Sequence, residues 1–488
     1  MPLNSEGERK QTKKRLIIVL LIIAAIIITT IIMMLYFYLE NTLIYKERSI
    51  IQIRDKNLKA ELVVEGLSFP TSMDFVDNNN IILALEKDKG TVRLISGGIL
   101  QKDPVLKVNV DTKGERGLLG IATMNDVLTK SLDSNSTFNK KGPAGKGKSS
   151  SSSMTVFLFL TEAKDDHNHE NNTSLRNRIY SYSWNGEKLV NPTPMLDLPT
   201  EPGPYHQGGR LKIGPDNNVY AAIGDLTSPN SILQNFRDGT EPNDTSIILQ
   251  INLNNGSASP DNGSSNSNSN SNSNSNSSSS LYYPNGNYER KFQSSHYYYY
   301  AYGIRNSFGM DFDPVTGFLW DTENGEDKYD EINLVKPGFN SGWAQVMGPL
   351  YRSNNNKTEN DLVKLPGSEY ADPVFSWKEQ IGVTDIEFLN STRLGSTYTN
   401  NIFVGDINYG NLYYFEVNDN RTGLKLDFEN NEKQRVLNDL VADNNREISE
   451  ITFGTGFGRI TDIETGPDGY LYVLTYEDGK IYKIMPRN

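Results

Sequence analysis

No cysteine occurs anywhere in the 488 residues. Disulfides, thiolate metal sites and cysteine nucleophiles are excluded together, so the fold must be held by its apolar core and by any metal that oxygen atoms can bind. Histidine is nearly as scarce: His167, His169, His206 and His296 are the whole supply, which leaves few candidates for imidazole chemistry. An excess of base is also lacking, with 48 Lys and Arg against 60 Asp and Glu and a net charge of −12. Removing the +3 of residues 1–15 leaves −15 on the remainder, a balance that argues against nucleic acid and against adhesion to anionic lipid. Helical periodicity is scarce after residue 45.

One long apolar run is present. Arg9, Lys10, Lys13, Lys14 and Arg15 precede an uncharged stretch from Leu16 to Leu39, about the ~20 residues that cross a hydrocarbon core as a helix. No small-residue cleavage site follows before Glu40, so the segment reads as an uncleaved signal anchor rather than a signal peptide. The positive-inside rule then puts residues 1–15 in the cytoplasm as a basic tail, 16–39 in the membrane, 40–59 in a juxtamembrane linker and the rest outside. The expected location is the cell membrane, single-pass, with the C-terminal domain extracellular. Sequons at Asn135, Asn172, Asn243, Asn356, Asn390 and Asn420 are compatible with that side.

From residue 60 to 488 the chain is long enough for one large β domain. Residues 126–153 and 254–280 interrupt it. The first holds a five-serine run and the second approaches an Asn-Ser repeat. Neither has the apolar content to offset ordering entropy, so both read as surface insertions. Elsewhere a unit recurs in which a Pro/Asp/Gly/Asn turn leads into a short β-branched and aromatic strand. Examples are Gly214-Pro215-Asp216 before Val219–Ile223, Asp313-Pro314 before Phe318-Leu319-Trp320, and Gly466-Pro467-Asp468 before Tyr470–Leu474. Repeated hairpins of this kind indicate a β-propeller, whose blades are not stable singly.

The polar residues concentrate in one stretch. Tyr302-Gly303-Ile304-Arg305-Asn306-Ser307-Phe308-Gly309 is followed by Asp321-Thr322-Glu323-Asn324-Gly325-Glu326 and by Asp330-Glu331-Ile332-Asn333. The stretch offers a guanidinium beside a carboxamide, then an acidic turn whose carbonyls and carboxylates suit a hard cation. Together with Glu115-Arg116-Gly117-Leu118-Leu119-Gly120, His206-Gln207-Gly208-Gly209-Arg210 and Gly458-Arg459-Ile460-Thr461-Asp462, this stretch resembles the soluble glucose/sorbosone (aldose sugar) dehydrogenases. The resemblance covers nearly all of the chain after about residue 60. It implies an all-β, six-bladed propeller, here preceded by the single transmembrane helix, that uses pyrroloquinoline quinone and calcium.

By the same resemblance His206 matches the catalytic base, a role that an imidazole with a pKa near 6.5 suits. Arg305 and Asn306 match the pair that contacts the quinone, Arg305 stabilising the negative charge that builds on its oxygen. Arg459 matches an arginine that pairs with a cofactor carboxylate. Gly325 and Glu326 fall where two main-chain carbonyls hold the cofactor's calcium, and Glu331, with Asp330 beside it, matches a ligand of a second calcium. The chain departs from the family at four places. Arg116 stands where quinone-using members often carry Gln, Asn408 where they carry a quinone-contacting Lys, Thr461 at a second arginine, and Ser341 at the Tyr before Gly342-Trp343. The acidic and histidine-bearing run Asp165–Glu170 matches no family motif and reads as surface. The implied function is an outward-facing oxidoreductase that oxidises the anomeric hydroxyl of a sugar by hydride transfer to the quinone and passes electrons to an unassigned acceptor. Two readings stand beside it: a non-catalytic propeller that binds a glycan or a partner, and a calcium-dependent lactonase or related hydrolase.

Overall fold

The structure, a computed structural model, describes residues 28–30, 32–33, 51–76, 80–125, 154–163, 175–228, 230–253, 290–292, 295–352, 357–426 and 437–487. The chain divides into two compact units, residues 1–51 and 52–488. In the first, residues 28–30 and 32–33 are helical. Among the described residues no helix is long and apolar enough to cross a membrane. The expected span, 16–39, falls almost wholly outside them, as do the insertions at 126–153 and 254–280.

The second unit is built of six sheets. Five have an antiparallel core drawn from one stretch of chain, and two of these add short parallel strands at one edge. The five begin at Pro70–Phe75, Leu118–Asn125, Leu211–Ile213, Ser307–Phe312 and Val383–Phe388. The remaining sheet is a composite in which Ile460–Thr465, Leu471–Thr475 and Lys480–Pro486 are completed by Leu58–Val64 from the other end of the domain. Six like blades, as the resemblance leads one to expect, are therefore not what the sheets provide: five are single-stretch blades. Sheet formation also begins before residue 60. Gln52–Ile53 pairs with Thr452–Thr455, and Leu58 opens the strand that closes the composite sheet. Charged residues at 54–56 and on the exposed face of Leu58–Val64 hide these strands from a reading of hydrophobic pattern.

The first strands of successive sheets are neighbours all the way round, from Pro70–Phe75 through Ile460–Thr465 and back. They enclose an axis, and apolar side chains fill the spaces between sheets. Trp320, Phe375, Trp377, Phe388 and Phe415, for example, pack between the fourth and fifth sheets in chain order. The recurrent turn has a common chemistry. One oxygen of Asp216 accepts the Asn218 N–H while the other accepts the Tyr220 hydroxyl, and Asp468 does the same with the Tyr470 N–H and the Tyr472 hydroxyl. Each such aspartate pins a tight turn to the strand that follows it, which is why the motif reads so clearly in sequence.

Because strands alternate in direction, the segments entering the first strands and the turns between second and third strands reach the same end of the axis. They line a cavity of about 180 Å³ there, with Thr71, Ser72, Lys87, Glu115, Gly208, Arg210, Phe308, Thr461 and Tyr476 among its walls. Below it the axis is filled by charge. Arg210 bonds Asp385 at 2.8 Å, Asp462 at 2.5 Å and Glu464 at 3.2 Å, and Lys212 reaches Asp311 at 3.2 Å and Glu387 at 3.0 Å.

Candidate active site

His206 sits in the segment entering the third sheet with a φ of 58°, a left-handed conformation unusual for a residue with a side chain. Glu115 holds it there, accepting the His206 N–H at 2.6 Å and the Gln207 N–H at 3.3 Å. Gly224 allows the approach of its neighbour: a Cβ at Gly224 would stand 2.5 Å from the His206 carbonyl oxygen and 2.6 Å from that of Arg305. Two segments distant in sequence, the His206 entry and the Arg305 entry, are thus brought together across one bare glycine.

The His206 side chain is 15% exposed, and its Nδ1 lies 2.6 Å from Asp225 Oδ1. The other carboxylate oxygen, Oδ2, accepts the Trp343 indole N–H at 2.9 Å, and Oδ1 also accepts the Thr227 N–H at 2.8 Å. A carboxylate so fixed selects the Nδ1–H tautomer and leaves Nε2 as the lone-pair atom. Arg305 lies over the Trp343 ring at 5.4 Å, and its Nη1 donates to the Asn324 carbonyl oxygen at 2.9 Å. Its Nε and the Oδ1 of Asn306 are buried without a hydrogen-bond partner. An orphaned donor and an orphaned acceptor on consecutive residues fit a ligand that carries both kinds of group, as a heteroaromatic quinone carboxylate does.

The other expected quinone contacts are less gathered. Arg459 is half exposed and paired with Glu477 at 3.2 Å, and Asn408 is exposed. Arg116 is buried, but it donates to the Thr200 carbonyl oxygen at 2.9 Å and lies 3.5 Å from Asp111; it braces two loops and leaves the cavity wall to Glu115. Thr461 donates to the Pro70 carbonyl oxygen at 3.0 Å. Lys87 brings a nearly buried ammonium to the cavity, paired with Asp88 at 2.7 Å.

The metal candidates separate into two places. In the turn between the second and third strands of the fourth sheet, the carbonyl oxygens of Gly325 and Glu326 both point at Gln380 Nε2, at 2.6 and 2.9 Å. Two carbonyls converging on one point fit a hard cation. Asp330 spends its oxygens on the N–H groups of Gly325, Ile381, Gly382 and Val383; it holds the turn in place, and burial raises its carboxyl pKa. Glu331, one residue on, faces Glu323 across the strand pair, with Asp321 opposite Asn333. All three carboxylates are buried. Glu331 accepts the Gly348 N–H at 2.5 Å, Glu323 accepts from the Arg305 N–H and the Ser341 hydroxyl at 2.6 Å each, and neither oxygen of Asp321 has a partner. Burial, and then mutual repulsion, pushes Glu323 up to about 8 and Glu331 well above the usual carboxylate range, while burial takes Asp321 to about 7. The three carboxylates do not converge on one point, since their oxygens are not all within 4.8 Å of one another; burial and repulsion keep their acid forms favoured.

Among the described residues the one trio of acids whose oxygens all lie within 4.8 Å of one another is Asp385, Asp462 and Glu464. Arg210 already lies among them and supplies their charge. His167 and His169 lie outside the described residues. Sequence reasoning missed Asp225, Trp343, Glu115, Glu323, Lys87 and Gln380. The one local signal was Gly224-Asp225 closing a predicted strand, a common place for a functional carboxylate.

Residues 282–483 match the family model described as Glucose / Sorbosone dehydrogenase. An aldose sugar dehydrogenase of Escherichia coli (strain K12) is 32% identical over 190 residues; the match spans 39% of this chain and 44% of that protein. Among solved structures, a putative oxidoreductase (glucose dehydrogenase) from Thermus thermophilus aligns over 88% of this chain and 100% of its own, at 23% identity and a TM-score of 0.57. The quinone-bound form of an aldose sugar dehydrogenase from Streptomyces coelicolor aligns over 90% of this chain and 98% of its own, at 20% identity and a TM-score of 0.54. At those identities the two structures speak for the fold alone.

Proposed function

Since the chain belongs with the glucose/sorbosone dehydrogenase-like proteins, we propose that it is a quinone-dependent sugar dehydrogenase that oxidises the anomeric hydroxyl of an aldose. The observation that carries this is the His206–Asp225–Trp343 chain, set against Arg305 and its orphaned Nε. His206 Nε2 takes the hydroxyl proton as hydride leaves the same carbon, and Asp225 stabilises the imidazolium that forms. Arg305 and Asn306 would hold the acceptor, and the guanidinium places positive charge where it would be offered to the bound group. Pyrroloquinoline quinone, when bound, supplies the hydride acceptor; Lys87 and Arg459 are the cations available to its carboxylates. The carbonyls of Gly325 and Glu326 would hold its calcium, and Glu331 would be a ligand of a second calcium. The ring of first strands is read as six blades, with the composite sheet as the sixth. The location carried with this reading is a single-pass anchor through residues 16–39 and an outward-facing domain.

The test is direct. Purified protein with quinone, calcium and a panel of aldoses should reduce an artificial electron acceptor. Failure to bind quinone, together with no dye reduction by any sugar, overturns the reading. A glycan- or partner-binding propeller then takes its place, a reading that the exposed Arg459 and Asn408 favour.

A further inference from the structure

We propose that Gln380 is a third protein ligand of the calcium held by the turn at Gly325 and Glu326, binding through its side-chain oxygen; this rests on the calcium reading above. The Gln380 amide nitrogen now donates to the two carbonyl oxygens at 2.6 and 2.9 Å. Calcium binds oxygen at about 2.4 Å, so neighbouring oxygens in its coordination shell stand about 3 Å apart. The end of the Gln380 side chain is therefore already one edge-length of such a shell from both carbonyls. Only its orientation has to change. The two ends of an amide have almost the same shape, and a half-turn about the last torsion exchanges them. Without a cation the NH₂ end faces the carbonyls and satisfies them. With a cation the oxygen end faces them, and three oxygens that would repel one another share one positive centre.

The backbone is prepared for this exchange. A Cβ at Gly325 would lie 2.0 Å from the Lys328 carbonyl oxygen and 2.6 Å from that of Tyr329, so the turn has one tight course. Asp330 ties that turn to the Gln380 segment by accepting the Gly325 N–H on one oxygen and the N–H groups of Ile381, Gly382 and Val383 on the other. Glu326 is exposed, which gives an ion access from solvent.

The experiment is a calorimetric calcium titration of the full chain, without quinone or sugar, for the wild type, Gln380→Leu and Gln380→Glu. Loss of a neutral oxygen ligand should weaken one binding step about tenfold, and a carboxylate should tighten the same step, since ligand number and charge set calcium affinity. The step assigned to Glu331 should not move. Cooperative thermal unfolding in chelator in all three proteins checks that the variants fold. Tighter binding in Gln380→Leu would show that the amide plugs the site, and unchanged binding that it is a bystander; either result overturns the inference and leaves the calcium reading standing. No uptake of calcium by the wild type overturns both.

Discussion

The two groups of candidate residues are built differently. On the side of the third and fourth sheets, His206, Asp225, Trp343 and Arg305 are cross-linked by hydrogen bonds and a cation–π contact, and little of them reaches solvent. On the side of the fifth and sixth sheets, Arg459 and Asn408 stand in water, and Arg459 makes one exposed ion pair. Preorganisation is costly to fold and is useful where charge develops during reaction. An exposed pair contributes little until a ligand covers it. On the proposed reading the rigid side holds the groups that act during the reaction, and the open side is covered only when a cofactor binds.

That contrast can be broken most readily at the rigid side. His206→Ala removes the base and should lower turnover about 10²–10⁴-fold, read as dye reduction by the quinone-loaded protein. Arg305→Ala removes one preorganised donor and should cost about 10²–10³-fold in kcat, with a weakening of quinone binding beside it. A drop in melting temperature that matched the lost activity would move either residue to a structural role.

Smaller effects are expected away from the reacting atoms. Calcium should raise the melting temperature, because ligand bound only to the native state stabilises it by mass action, and Glu331→Gln should blunt that rise; no response to chelator in either protein would remove the second calcium. The axis below the cavity should make metal-free stability depend on pH. Burial raises Glu387 to about 7 and Asp74 to about 6. Between about pH 4 and 7 the native state therefore binds more protons than the unfolded chain, so stability falls as pH rises through that window and levels off above it. Glu387→Gln should flatten the slope in thermal melts taken across the range. Least of all, Arg459→Ala should weaken quinone binding only a few-fold, as expected of an exposed pair; a loss of several hundred-fold would show that the open side is as organised as the rigid one.

How much of this was legible in sequence depended on range. The turn aspartates Asp216 and Asp468 bond within four residues of themselves, so the strands after them were visible. His206, Arg305 and the turn at Gly325 were visible through their motifs. The composite sheet was not, because Leu58–Val64 and Lys480–Pro486 meet from opposite ends of the domain. Nor was the partner of His206: Asp225 is 19 residues away and Trp343 a further 118, and neither spacing has a local signature. Gln380 donates to carbonyls 54 and 55 residues back and carries no pattern at all. Local turn chemistry is written in local sequence, whereas contacts across the axis are set by the closure of the ring.

The most direct measurement follows the quinone itself, in a single turnover, as an aldose is added to loaded wild type and to loaded Asp225→Asn. Asn keeps the shape of the residue and removes the charge that holds the His206 tautomer. The variant should bind quinone as tightly as the wild type and reduce it at least about 10²-fold more slowly. Equal rates in the two proteins would contradict a His206–Asp225 base, and a wild type whose bound quinone no aldose reduces would contradict the dehydrogenase account.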